Sequence, residues 1–270
     1  MFRVLNPNRP DRVARGVCAL AVMTKAPQAG RVKTRLVPPL TSEEAAGLNK
    51  CFLRDTAGAI SSACNRLAVA DSGKTQFTHV SHSEPSTRRA RGVAVYTPVG
   101  AESAYSDILP ADFVLLPQRG TGFGERLYFA VEDLFKCGFE SVCLIDSDSP
   151  TVTAENFAKA VELLITSEDR VVLGPSDDGG YYLIGLKKPL RELFEQIEWS
   201  TERVLEQTVL RARDIRLEVK LLPAGYDVDD GASLRRLSNE LLGDTSRKDV
   251  APCTQEFLRK LAARHRLNSL

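Results

Sequence analysis

Asp146 and Asp148 close the apolar run Ser141-Val142-Cys143-Leu144-Ile145, and Pro150 follows almost at once. The run reads as a short buried strand, so two carboxylates stand one residue apart at a strand end. Ionised side by side they repel, and burying either without a partner is costly. A divalent cation resolves both problems, because Mg²⁺ favours one or two carboxylates completed by phosphate oxygens and water. A purely structural alternative has Asp146 capping a turn and Asp148 capping the helix that starts near Thr153.

Three further segments carry chemistry. The loop Lys25-Ala26-Pro27-Gln28-Ala29-Gly30-Arg31-Val32-Lys33-Thr34-Arg35-Leu36 sets Lys25, Arg31, Lys33 and Arg35 around Pro27 and Gly30. Point charges from lysine and planar forks from arginine suit a diphosphate, although a solvated basic loop has the same composition. The loop is neither a Walker A sequence nor G-x-G-x-x-G. In Gly174-Pro175-Ser176-Asp177-Asp178-Gly179-Gly180-Tyr181, the acid pair and the glycines suit a tight turn. They equally suit close approach to a ligand whose hydroxyls meet Asp177 or Asp178. In Tyr226-Asp227-Val228-Asp229-Asp230, acids again follow a strand, and Asp230 reads as the cap of the next helix. His79, His82 and His265 form no triad or metal pattern.

The elements that must position these loops alternate in type. Strands are expected at Val17 to Met23, Val93 to Tyr96, Phe113 to Leu116, Arg170 to Leu173, Tyr181 to Leu186 and Leu217 to Leu222, with a weak one at Phe77 to Val80. Helices are expected from a Thr41 or Ser42 cap through Ile60, and over Phe123 to Phe135, Ala154 to Ile165, Thr201 to Arg213 and Ala232 to Leu242. A basic amphipathic helix over Gln255 to Arg266 reads as an appendage. Alternation of this kind implies a mostly parallel sheet flanked by helices. Ligands of such sheets collect at strand carboxyl ends near a topological switch point.

Composition excludes several classes. A chain of 270 residues with 43% hydrophobic and 26% charged side chains is ordinary for a soluble globular protein. A net charge of +1 gives no global pull toward nucleic acid or membrane, and no apolar run has the length of a membrane span. Residues Met1 to Arg15 hold Arg3, Arg9, Arg12 and Arg15 without an apolar core, so they read as a flexible arm and not a secretory signal. Six scattered cysteines without a C-x-x-C pair favour a reducing cytoplasm.

Taken in order, K-x-P-x-x-G-x-x-K-T-R-L, then Gln118 with Gly124-Glu125-Arg126, then Asp148-Ser149-Pro150, then D-G-G-Y-Y-L-I-G-L and D-x-D, the motifs resemble the selenodomain-associated, GT-A-like transferase family. The likeness runs from about Cys18 to about Leu237. It implies a nucleotide-diphospho-sugar transferase fold, here assigned to residues 16–245, and the basic arm at 1–15 and the helical appendage at 246–270 read as flanks from their own composition. It further implies Mg²⁺ or Mn²⁺ as cofactor, with Asp148 and Asp229 as principal ligands and Asp146 and Asp227 as further candidates. The nucleotide phosphates fall to Lys25, Gly30, Arg31, Lys33 and Arg35, with Gln118, Gly124 and Arg126 beside the nucleotide pocket. Asp148, Asp177 and Asp178 become the catalytic candidates, and Gly179, Gly180 and Tyr181 the substrate-side turn. Asp146 stands where the family more often has glycine, and the Asp71 to Arg91 excursion is longer than usual for it. The implied partners are a nucleotide-sugar or nucleoside triphosphate and a small-molecule acceptor. Glycosyl transfer leads. Nucleotidyl transfer with pyrophosphate release, as in guanylyltransferases that share Lys33-Thr34-Arg35-Leu36, is the enzymatic alternative. A non-catalytic nucleotide-binding protein is the alternative of another class.

Overall fold

The computed structural model describes residues 2–72, 89–243 and 249–264. Within these residues, eight strands form one sheet: β1 (Arg3–Val4), β2 (Cys18–Lys25), β3 (Ala90–Thr97), β4 (Val114–Pro117), β5 (Ser141–Ile145), β6 (Arg170–Pro175), β7 (Tyr181–Leu186) and β8 (Glu218–Leu221). Their spatial order is β1-β4-β3-β2-β5-β7-β6-β8. Only β7 runs against its neighbours β5 and β6; every other pairing is parallel. The sheet is the mostly parallel one that the alternating pattern implies.

Among the described residues, six helices accompany it: α1 (Ser42–Ser72), α2 (Phe123–Cys137), α3 (Ala154–Leu164), α4 (Val204–Asp214), α5 (Gly231–Gly243) and α6 (Pro252–Ala263). Central strands are buried on both faces. Cys18, Leu20 and Val22 of β2 point into a core with α1 and α3, while Ala19 and Ala21 point into one with α2. Each large apolar side chain withdrawn in this way contributes about 1.5–3 kcal/mol relative to exposure. The α1 start is a reciprocal cap, with Glu44 N donating to Thr41 Oγ1 (3.2 Å) and Thr41 N to Glu44 Oε2 (2.9 Å).

The chain moves from β2 through β3 to β4 on one side, then returns to place β5 on the other side of β2. The carboxyl ends of β2 and β5 therefore flank a switch point, where a crevice must open. The basic loop leaves β2 there, and Asp146 leaves β5.

Two terminal expectations change. The first residues do not hang free: Arg3 and Val4 pair with Val114 and Leu115, and Leu5 is buried. A two-residue edge strand is too short to leave a periodic signal. At the other end, α6 is built into the body, with Leu258 and Leu261 buried in a third cluster beside Leu36, Leu48, Phe52 and Val228. Its N-terminus is capped from another helix. Asp55 of α1 accepts from Cys253 N (2.9 Å), Thr254 N (2.8 Å) and Thr254 Oγ1 (2.6 Å). The strand expected at Phe77 to Val80 lies outside the described residues, as do His79, His82 and His265, and α1 itself runs through Ser72.

Ala251 at the α6 cap position has no side chain to serve these donors, so Asp55 carries that duty alone. Asp55→Ala should lower the unfolding free energy by about 2 kcal/mol in urea titrations. Asp55→Asn, which keeps an acceptor, should lose clearly less.

Candidate active site

Lys33 is the centre of the site. Its backbone is left-handed (φ 49°), which turns the side chain inward, and that side chain is only 4% exposed. The ammonium has three protons and meets three acceptors: Val228 O (2.7 Å), Asp229 Oδ1 (2.9 Å) and Asp148 Oδ1 (2.9 Å). Burial alone would lower the Lys33 pKa, but Asp148 and Asp229 outweigh it and the net shift is upward. Asp229 shows the converse: burial would raise its pKa, and Lys33 together with Arg35 holds it below the usual range. Arg35 reaches the other oxygen of Asp229 at 2.7 Å. The backbone joins in, since Val228 N donates to Asp148 O (2.9 Å).

Alternation in sequence explains the arrangement. Leu36 and Val228 are both fully buried in the third apolar cluster. Anchoring these two residues turns the charged neighbours Lys33, Arg35, Asp227 and Asp229 toward the crevice.

The remaining acids divide by orientation. Asp146 is held inward, accepting from Asp148 N (3.3 Å), Ser149 N (3.2 Å) and Ser149 Oγ (2.9 Å). It shapes the turn that presents Asp148, and burial followed by repulsion from Asp148 pushes its pKa up to about 8. Asp227, accepting from Ser176 Oγ at 3.3 Å, is raised to about 6 by burial, then by Asp178 and Asp229. Asp178 faces the crevice and accepts from Gly180 N (2.9 Å). Asp177 turns the other way and pairs with Arg236 at 2.7 Å, lining a separate recess with Tyr226. Asp230 caps α5 through Ser233 N (2.8 Å).

Two adjoining clefts result. The smaller, about 250 Å³, is basic and lined by Lys25, Arg31, Lys33, Thr34, Arg35 and Asn49. The larger, about 540 Å³, has an acidic rim of Asp146, Asp148, Asp178, Glu202, Asp227 and Asp229 over an apolar floor. Ser147, Asp148, Asp229 and Arg35 line both. Gly30 permits the loop's φ of 70°, and Gly180 and Tyr181 line the larger cleft.

Residues 83–201 match the model of a family described as an uncharacterized protein conserved in bacteria, DUF2064. Among solved structures, a candidate nucleotide-diphospho-sugar transferase from Desulfovibrio desulfuricans G20 is 28% identical. That alignment covers 92% of this chain and 96% of that one, with a TM-score of 0.73. A 4-diphosphocytidyl-2C-methyl-D-erythritol synthase from Anaerococcus prevotii DSM 20548 shares the fold at 13% identity, covering 84% and 99%, with a TM-score of 0.50. No curated protein matches the chain. The chain is thus similar in fold to a candidate nucleotide-diphospho-sugar transferase over most of its length, and its middle segment matches the DUF2064 model.

Not every residue implied by the motif resemblance meets the two clefts. Gln118 ties strand ends together, donating to Val95 O (2.8 Å) and Thr24 O (3.2 Å). Gly124 is a packing glycine: a Cβ there would lie 2.2 Å from Trp199 Nε1. Arg126 is exposed and donates to Gly120 O (3.2 Å). None of the three lines the two clefts. Conversely, Asn49, Phe123, Trp199 and Glu202 line them without having stood out in sequence. Asn49 is buried, and its Oδ1 accepts no hydrogen bond among the described residues, so a ligand proton would satisfy it.

Among the described residues no three His, Cys, Asp or Glu side chains gather into a metal cluster. The donor set nevertheless fits Mg²⁺ or Mn²⁺: Asp148 and Asp229 are two hard oxygen donors beside a cationic cleft, and such ions complete their shells with phosphate and water. Asp146 has both oxygens committed to its turn. Among the described residues no helix is long and apolar enough to cross a membrane.

Two measurements test this geometry. Lys33→Met leaves Asp148 and Asp229 facing each other and should lower stability by about 2 kcal/mol in chelating buffer, less than for a fully buried pair because both carboxylates are a third exposed. Added Mn²⁺ should restore part of that loss. Asp146 keeps its proton in the folded state up to about pH 8, whereas an unfolded chain releases it near pH ~4. The unfolded state then binds fewer protons between those values, so this group's contribution to stability falls as pH rises across them. Asp146→Asn, measured in chelating buffer, should raise Tm at pH 8 and change it little at pH 4.

Proposed function

We propose that the protein transfers a glycosyl group from a nucleotide-diphospho-sugar to a small hydroxylated acceptor. The observation that carries this reading is the seam between the two clefts, where Asp148, Asp229 and Arg35 line both a basic and an acidic cavity. A diphosphate suits the basic side. Lys25 and Arg31 line it and have no ion pair among the described residues, so their charges are available to phosphate oxygens. Asn49 Oδ1 offers an acceptor for a ligand hydroxyl.

The transferred group then lies toward the acidic side. Its anomeric carbon–oxygen bond to the diphosphate breaks, a bond to the acceptor oxygen forms, and the acceptor proton passes to a carboxylate. Asp178 suits that last role, since it faces the cleft and no lysine or arginine among the described residues pairs with it. Mg²⁺ or Mn²⁺, held by Asp148 and Asp229, would supply charge neutralisation for the diphosphate leaving group. Arg35 and the freed Lys33 ammonium would add to that neutralisation.

Nucleotidyl transfer would instead bring a phosphorylated acceptor to the acid rim, where carboxylates repel it. The two reactions differ in product. Incubation with a panel of nucleotide-sugars and Mn²⁺ should release nucleoside diphosphate, slowly even with water as acceptor. Pyrophosphate release from a nucleoside triphosphate and a phosphorylated acceptor, with no diphosphate from any nucleotide-sugar, would overturn the proposal. In the same assays, Lys25→Ala with Arg31→Ala should weaken binding of a nucleoside diphosphate at least tenfold and leave nucleoside binding nearly unchanged.

A further inference from the structure

The larger cleft has a composition that its catalytic rim does not require. Below the acids, its floor is made of Met23, Leu127, Leu144 and Ile184, contributed by β2, α2, β5 and β7. One wall is aromatic: Phe123, 59% exposed, meets Trp199 edge-on with ring centroids 5.3 Å apart.

This wall is held in place from two sides. Gly124 lets the indole lie against the α2 backbone, since a Cβ there would stand 2.2 Å from Trp199 Nε1 and 2.9 Å from Phe194 O. Gly179 lets the β6–β7 turn press on the segment that carries Trp199, since a Cβ there would stand 2.0 Å from Glu202 O. Leu205 N donates to Gly179 O (2.8 Å) across the same contact. An exposed Phe123 set against a half-buried Trp199, whose segment two glycines let pack closely on its neighbours, is a prepared surface.

Around the same cleft, Asp178, Asp227 and Glu202 line the rim without an ion pair among the described residues. Among the described lining residues Arg35 is the sole lysine or arginine, and it is engaged with Asp229. A phosphate or carboxylate on the acceptor would meet uncompensated negative charge here. Hydroxyls would find acceptors, and an apolar ring would find the floor and the aromatic wall. A volume of about 540 Å³ lies within the range of sites that enclose small organic ligands.

We propose that the acceptor is an uncharged, hydroxyl-bearing molecule with an aromatic or alkyl body. The body lies on Phe123 and Trp199, and the reacting hydroxyl points to Asp178. This assignment rests on the basic cleft being the diphosphate site, and it narrows the acceptor to one chemical class.

Trp199 is the chain's single tryptophan, so fluorescence excited beyond the tyrosine absorption band reports on this wall alone. Wild-type protein is titrated with phenyl β-D-glucopyranoside, with its 6-phosphate and with D-glucose, followed by fluorescence and by calorimetry. The expected result is saturable binding of the phenyl glucoside, at least tenfold tighter than glucose and at least tenfold tighter than the 6-phosphate. Asp178→Asn should shrink the penalty against the 6-phosphate. Trp199→Ala should weaken the phenyl glucoside at least fivefold by calorimetry, with Trp199→Phe recovering most of the loss.

Equal or tighter binding of the 6-phosphate would overturn the proposal, as would no preference for the phenyl glucoside over glucose, or no binding by millimolar concentration. Displacement of the phenyl glucoside by a free nucleoside would overturn it too, by assigning the wall to the base. None of these titrations uses a donor. A protein that binds the phenyl glucoside as expected but releases pyrophosphate would therefore lose the glycosyl reading and keep the acceptor class.

Discussion

Everything in the site depends on one ammonium. Lys33 joins loops that stand 115 and 196 residues away in sequence, and its three protons are each matched by an oxygen within 2.9 Å. An ion pair with one carboxylate would not suffice to hold it, since a side chain 4% exposed has lost its hydration and needs full replacement. Two carboxylates and a carbonyl provide that. The same contact keeps Asp148 and Asp229 from repelling each other, so their spacing is set by the lysine between them. Any cation serving both carboxylates must compete with Lys33 or displace it, and a displaced Lys33 would lie beside the basic cleft.

The fold makes that contact possible by two devices of different kinds. The switch point between β2 and β5 opens a crevice and delivers a basic loop and an acid pair to it. A third apolar cluster, built from α1, α5 and α6, anchors Leu36 and Val228 and so brings the Asp227–Asp229 segment over the crevice. Without that cluster the sheet would still form, but Asp229 would have no reason to approach Lys33. Docking of α6 by Asp55 therefore bears on the site, although α6 lines neither of the two clefts.

Sequence periodicity located nearly every element because the buried strands and amphipathic helices are local patterns. Tyr181 to Leu186 has the bounds expected of it, and Ser141 to Ile145 is the strand its apolar run implied. The helix expected from Thr201 begins instead at Val204, because the preceding residues turn: Thr201 Oγ1 bonds Glu198 O at 2.7 Å. That turn carries the cleft wall. Trp199 was illegible as a site residue because its place is set by Gly124 and Gly179, distant positions that the motif resemblance assigned to the nucleotide pocket and the substrate-side turn and not to packing against this segment. The basic and acidic motifs were legible as chemistry. Their mutual pairing was not, since nothing in a charge pattern says that Lys33 will choose carboxylates over solvent. Asp146 and Asp177 show the same limit from the other side: both are acids at strand ends, yet one makes a turn and the other pairs with Arg236.

Charge is consequently sorted across a short distance. The cleft with Lys25 and Arg31 attracts anions, and its neighbour with Asp178, Asp227 and Glu202 excludes them. A single molecule that is anionic at one end and a neutral polyol at the other would align itself across the seam. Its orientation would be fixed by electrostatics before any specific contact is made. Reversed binding would put phosphate against carboxylates and hydroxyls against unneutralised cations, so the arrangement selects direction as well as ligand class. On the proposed reading, the bond to be broken then lies at the seam, beside the carboxylates that Lys33 holds in register. On that same reading, the ammonium that pairs with them would also be placed to answer charge as it builds on a departing diphosphate.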